Sequence, residues 1–171
     1  ACIAGRDGLA GLSRERIRAE LLKLLVAPGV VATLRAMAGA GLIMPVIGGV
    51  PHLARFAAIA DGGGEGVHPA FRLAALAVSV SEDALRLRER LRLSNAEFDR
   101  IGRIAKALDA LGGREGVPAI AVLRHVAHGV GGDAVAAALI LLNASARGEA
   151  GGGVQQLIAE LGRTPPLDRK S

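Results

Sequence analysis

The amino-acid sequence predicts an all-α protein, about nine short helices packed as an irregular bundle with no sheet. Apolar residues recur three and four positions apart over most of the chain, and serine, aspartate and proline stand where helices would begin. Alternation at period two is absent, and the β-branched residues are scattered through helical windows. No internal repeat of fixed period points to a solenoid.

Ser13 is placed to cap a helix over residues 13–25, with Glu15 in its positive first turn and Ile17, Leu21, Leu24 and Leu25 forming one apolar stripe. On the other face Arg16 with Glu20, and Glu20 with Lys23, are spaced for ion pairs. Each is worth only about a few tenths of a kcal/mol, so the stripe must hold the helix down. Pro28-Gly29 separates it from a second helix reaching about Gly39, with Val31, Leu34 and Met37 inward. Leu42 to Val50 is apolar but broken by Pro45, Gly48 and Gly49, and reads as a buried connector before a third helix from about Pro51 to Ala60.

The run Asp61-Gly62-Gly63-Gly64-Glu65-Gly66 is where a boundary would fall between a first helical subdomain, 1–61, and a helical body and tail, 62–171, unless the chain is one continuous domain. Pro69 can open a helix to about Val80, whose Phe71, Leu73, Leu76 and Ala77 leave almost no polar face, which marks it as central. Ser81, followed by Glu82 and Asp83, reads as the cap of a helix to Leu91. Ser94-Asn95-Ala96-Glu97 is a capping box opening another to Leu111, ended by Gly112-Gly113. Residues 117–127 are expected to be helical, Gly129 to Gly132 a turn, and Asp133 the cap of a very apolar helix through Leu142. After the glycine-rich 148–153, a short helix over 154–161 precedes a polar tail with Pro165-Pro166.

A length of 171 residues allows one domain with a real core or two small helical subdomains. Apolar residues make up 51% of the chain, but Trp and Tyr are absent and Phe occurs only at 56, 71 and 98. That composition favours close-packed helices and counts against single-stranded nucleic-acid binding by base stacking. Cys2 is the lone cysteine, so there is neither a disulfide framework nor a cysteine metal site, and a cytoplasmic setting is expected. No export signal is evident. The longest apolar run, Ala134 to Leu142, is too short for a bilayer core of about 30 Å, so no membrane role is expected. A net charge of +5 and an isoelectric point near 10.6 point to a polyanionic partner. Half of that weight is set aside, because an Arg-rich, Ala-rich, Lys-poor chain is also what GC-rich coding yields.

The order of residues in the first helix carries more than its periodicity. Ser13-x-Glu15-Arg16-Ile17-x-x-Glu20-Leu21-x-Lys23-Leu24-Leu25, followed by Gly39-Ala40-Gly41-Leu42-Ile43 and Pro45, resembles the bacterial poly(A) polymerase and CCA-adding tRNA nucleotidyltransferase family just after its nucleotide-reading neck. The resemblance runs from about Ala10 through Leu111, supported by Phe71-Arg72-Leu73-Ala74-Ala75-Leu76 and by Leu91-Arg92-Leu93-Ser94-Asn95-Ala96-Glu97. It implies a catalytic head upstream of residue 1 that uses Mg²⁺ with ATP or CTP, and a helical body and tail that hold tRNA. No cofactor is then expected in this chain, and no activity from it alone, whether the complete enzyme adds CCA or poly(A). Ser13, Glu15 and Arg16 match a family motif that the resemblance implies braces the nucleotide-reading segment; as structure they are a cap, a first-turn acid and a surface base.

The densest basic segment holds Arg86, Arg88, Arg90, Arg92, Arg100, Arg103 and Lys106 against Glu89, Glu97 and Asp99, an excess of four positive charges (seven minus three). Arg86 and Arg90 share one helical face, Arg88 and Arg92 another, and Arg100, Arg103 and Lys106 lie on one side of the next helix, while Leu87 and Leu91 point inward. Such a surface could grip the phosphates of duplex RNA, and with the resemblance it is the expected tRNA contact; otherwise it is a solvated helical face. His125 and His128 are spaced for a metal, but no cysteine is near and Asp133 lies across a glycine turn, so a core-edge or helix-terminal role is expected and no metal site. Gly129-Val130-Gly131-Gly132-Asp133 follows no strand and leads to no Lys-Ser or Lys-Thr, which excludes a phosphate loop. Asp-x-Asp is missing, and Glu82 with Asp83 and Glu97 with Asp99 sit in first turns, so no catalytic residue is assigned. The competing reading is a helical protein-interaction module whose arginines only solubilise it; a free-standing enzyme built on His125, His128 and distant acids is the weakest.

Overall fold

A computed structural model describes residues 12–61, 68–112 and 118–145. Among them the chain is all-helical with no strand: α1 (Arg14–Leu25), α2 (Val30–Gly39), α3 (Ile43–Ile47), α4 (Leu53–Asp61), α5 (Pro69–Ala77), α6 (Ser81–Leu91), α7 (Asn95–Leu111), α8 (Ile120–Val130) and α9 (Gly132–Ser145). The helix expected over 154–161 and most of the glycine-rich boundary lie outside the described residues.

The caps explain the starts. The Ser13 hydroxyl accepts from the Arg16 amide at 3.2 Å, Glu15 stands in the first turn, and Leu21 and Leu25 are buried. Of the two ion pairs expected along α1, Lys23 takes Glu20 at 3.1 Å, whereas Arg16 pairs with nothing among the described residues. The capping box at α7 closes as its sequence requires: Ser94 Oγ accepts from the Glu97 amide at 3.3 Å and Glu97 accepts from the Ser94 amide at 2.7 Å.

Three expectations are corrected. The apolar connector contains α3, a single helical turn that seats Ile43 and Ile47 in the core and stops at Gly48, whose φ of +73° only glycine adopts cheaply. Ser81 is the first helical residue of α6 rather than its cap. The residue before it is Val80, whose amide is taken instead by the Asp83 carboxylate, while Ser81 donates from its amide (3.0 Å) and hydroxyl to Asp109 of α7. At the other end of the chain, α8 runs on to Val130, leaving Gly131 as a one-residue corner, and the Asp133 carboxylate turns to Arg103.

Buried side chains from helices on both sides of residues 62–67 join in one hydrophobic cluster. α5 is its centre: Ala70 and Leu73 to Ala77 are all buried. α1, α4 and α7 pack around α5, α6 and α9 pack on α7, α9 also meets α4 and α8, and α3 lies against α6. Alanine-rich faces on α5, α7 and α9 let these axes approach closely.

Candidate nucleic-acid interface

The C-terminal end of α5 decides which arginines are committed to the fold. A helix that stops inside a core leaves carbonyls to be satisfied and a partial negative charge. Here Arg55 of α4, only 8% exposed, donates from Nε to Ala75 O at 2.8 Å and from Nη2 to Ala74 O at 3.2 Å and Val78 O at 2.5 Å. The His52 amide takes Leu76 O at 2.7 Å, and Arg86 Nη2 takes Ala77 O at 3.1 Å. Arg86 also donates to Ile47 O at 3.3 Å and pairs with Asp83. Asp83 in turn accepts from the Ser79 amide at 2.7 Å and the Val80 amide at 3.2 Å.

The electrostatics follow. Burial pulls the Arg55 guanidinium down to about 10, with Asp83 opposing, so it stays charged at neutral pH. Burial would raise the Asp83 carboxyl, but the Ser79 and Val80 amides and Arg86 together hold it below the usual carboxylate range. His52, whose Nε2 meets Ser79 Oγ at 2.8 Å, is lowered chiefly by burial and next by Arg55.

The seven predicted RNA-contacting residues therefore divide. Arg86 is turned onto carbonyls and Asp83, and its side chain and that of Arg90 rest 3.0–3.3 Å from where a side chain on Gly48 or Gly49 would begin. Arg88 lies over the Phe98 ring at 4.3 Å. Arg103 is clamped between Asp99 at 3.1 Å and Asp133 at 2.8 Å, and the two carboxylates outweigh burial to raise it. Arg90, Arg92 and Lys106 are exposed and, among the described residues, form no side-chain hydrogen bond or ion pair. Arg100 is half-buried at a groove and likewise unpaired there. These side chains go different ways: Arg86 to the end of α3, Arg88 to Phe98 of α7, and Arg103 to Asp133 of α9.

What the structure does bring together was not visible in sequence. Arg14 of α1 donates to Glu89 O at 3.1 Å, and Arg18 donates to Arg92 O at 2.5 Å and meets Glu97 at 3.6 Å. These two side chains, rather than the exposed Glu15 and Arg16 beside them, tie α1 to the C-terminal end of α6. Arg72 closes the other end of α1 by donating to Leu25 O at 3.1 Å. One end of the bundle thus gathers Arg14, Arg18, Arg88 and Arg92 with Glu89 and Glu97, four positive charges with two negative. Arg92 is at its tip in a left-handed conformation, φ +52°, where the chain turns from α6 into α7.

His125 and His128 are both exposed on α8, and among the described residues no group of three or more His, Cys, Asp or Glu could hold a metal ion. No helix among those residues is long and apolar enough to cross a membrane.

The Arg103 clamp has a glycine at its corner. Gly131 has φ +94°, and a Cβ there would fall 2.7 Å from Asp133 Oδ1 and 3.1 Å from Arg103 Nη1. Gly131→Ala is expected to cost about 1–3 kcal/mol, through backbone strain and displacement of the ion pair. Urea denaturation measures it; a cost below about 0.5 kcal/mol would show that the corner relaxes freely.

Residues 2–56 match the family model described as "Probable RNA and SrmB- binding site of polymerase A". Their described part comprises α1 to α3 and the first turn of α4, so the match contains the helix that Arg14 and Arg18 fasten onto α6. This stretch is similar to an RNA-binding region of poly(A) polymerases, and RNA is the partner the similarity supports. No curated protein matches the chain.

Proposed function

We propose that the chain is the RNA-binding helical region of a tRNA nucleotidyltransferase of the CCA-adding or poly(A) polymerase type. It holds the acceptor side of tRNA while a catalytic head elsewhere, with Mg²⁺ and ATP or CTP, adds nucleotides to the 3′ end. The observation that carries the reading is the basic end of the bundle, where the family-matched α1 is locked onto the arginine-bearing end of α6. A rigid cationic surface that offers no row of aromatics reads backbone shape and charge rather than bases, which suits a duplex stem. By fixing the stem it contributes position, the entropic part of bringing a 3′ hydroxyl to a distant active site. Ser13, as the cap of α1, and Glu15 and Arg16, on its exposed first turn, are placed where a preceding segment could be braced.

The test is the affinity of the chain for a tRNA acceptor minihelix across a salt series. Arg16, Arg90 and Arg92 all changed to Gln should weaken binding about tenfold near physiological salt and make the salt slope shallower by about one for each arginine that meets a phosphate. An unchanged slope in a folded variant would remove this surface from the interface. Arg86 and Arg103 are unsuitable probes, since their loss would disturb the fold first.

A protein partner is the second reading, and one observation favours it: the matched family's description also names SrmB, and within the matched residues Met44 and Val50 are 49% and 70% exposed. Polar replacements at Met44 and Val50 that leave RNA affinity intact but abolish binding of SrmB would support it.

A further inference from the structure

We propose that the groove between the start of α5, the middle of α7 and α9 is a slot for one unpaired nucleotide, with the base against Phe71 and the phosphate on Arg100. The proposal rests on the RNA-binding reading above and adds a second, single-stranded contact to it. The groove encloses about 300 Å³ and is walled by Phe71, Ile104, Ala134, Ala137 and Ile140, with His68, Arg100 and Asp133 at its rim. That volume is at the small end of ligand pockets, enough for one nucleoside and too narrow for a base pair.

The aromatic count makes Phe71 specific. Of the three phenylalanines, Phe56 is 1% exposed in the core and the Phe98 ring is covered by the Arg88 guanidinium at 4.3 Å. Phe71 lines the groove. A chain with one available ring has no stacking platform, in keeping with its composition, but one ring in a walled groove holds a single base. Three of the α9 residues that line it, Ala134, Ala136 and Ala137, are alanines, so a planar base can approach the helix where larger side chains would fill the space.

The charges suit a phosphate. Arg100 has no hydrogen bond or ion pair among the described residues, unlike Arg103 one turn further on. His68 uses Nδ1 to accept the Ala70 amide at 3.1 Å, which leaves Nε2 for a ligand. Asp133 is the one acid at the rim, and Arg103 Nη1 holds both its oxygens, at 2.8 and 3.0 Å, so its charge is compensated locally.

The experiment compares three ligands for the 171-residue chain: a blunt RNA minihelix, the same minihelix with a short single-stranded 3′ extension, and adenosine 5′-monophosphate. It is repeated on Phe71→Leu, Arg100→Gln and Ile140→Trp, the last filling the groove from an exposed position, each checked for an unchanged denaturation midpoint. The extension is expected to raise affinity between about fivefold and a hundredfold, the range for stacking one base. Phe71→Leu and Ile140→Trp should erase that gain while leaving blunt-stem affinity as it was. Binding of the mononucleotide, lost in the same variants, would support the slot with a free nucleotide as its source, even if neither RNA bound and the RNA reading itself failed. The proposal is overturned if the extension brings no gain and the mononucleotide does not bind, or if gain and mononucleotide binding persist in Phe71→Leu and Ile140→Trp.

Discussion

Arg55→Ala is expected to be the most damaging single substitution in this molecule, at about 3–5 kcal/mol, enough to unfold a marginal domain. Its guanidinium is buried and meets three carbonyls at the end of α5, Ala74, Ala75 and Val78, all in residues with no exposed surface. Hydrogen bonds from a charged donor contribute about 1.5–3 kcal/mol each, and removing the donor leaves buried acceptors that water cannot reach. It also removes a positive charge from the negative end of the central helix and takes one of two arginine partners from Asp83. Arg55→Lys should recover only part of the loss, because one ammonium cannot span carbonyls that a guanidinium fork reaches together. Urea unfolding followed by circular dichroism measures both. A cost under about 1 kcal/mol for the alanine change, with an unaltered denaturant slope, would mean that the α5 end finds other donors.

Asp83→Ala is expected to cost about 2–4 kcal/mol, since the Ser79 and Val80 amides lose their acceptor and Arg86 its carboxylate. The same residue sets an acid limb. Its folded pKa lies below the ordinary 3.8, so its contribution is complete above that value and drains away as pH falls toward the folded pKa. His52 adds a loss that begins at higher pH. Its folded pKa lies below 6.5, so the unfolded chain binds the proton more readily, and stability declines as pH drops from about 6.5. Asp83→Asn keeps one acceptor oxygen for the two amides but cannot titrate, and should flatten the limb below about pH 4. An unchanged acid limb in that variant would place the acid sensitivity in other carboxylates.

These two residues mark where the sequence could be read and where it could not. Ser13, and Ser94 with Glu97, announced their helices because a cap is a local bargain between a side chain and amides two or three residues on. The centrality of α5 was equally legible, since a helix without a polar face has nowhere to go but inside. Arg55 was not: its partners are 19 to 23 residues away, at the end of a different helix, and periodicity says which side a residue faces without saying what it meets. The same blindness made Arg86 and Arg103 look like free surface charge when one caps carbonyls and the other bridges two acids. It hid Arg14 and Arg18 as the residues that fasten α1. Ser81 misled because it is the first helical residue: Asp83 reaches back to the amides of Ser79 and Val80 that precede the helix, and the amide and hydroxyl of Ser81 go to Asp109 instead.

The turn from α6 into α7 carries a further consequence. Its left-handed position, φ +52°, is held by Arg92, although a side chain there is strained by about 1 kcal/mol that glycine would relieve. Arg18 secures the Arg92 carbonyl, which a glycine would offer just as well, so the tether does not depend on the charge. Thermal hardiness and a cationic tip are therefore competing demands at one codon. A lineage, or a laboratory screen, that rewarded heat resistance alone would drift toward glycine at this turn and bleach charge from this end of the bundle.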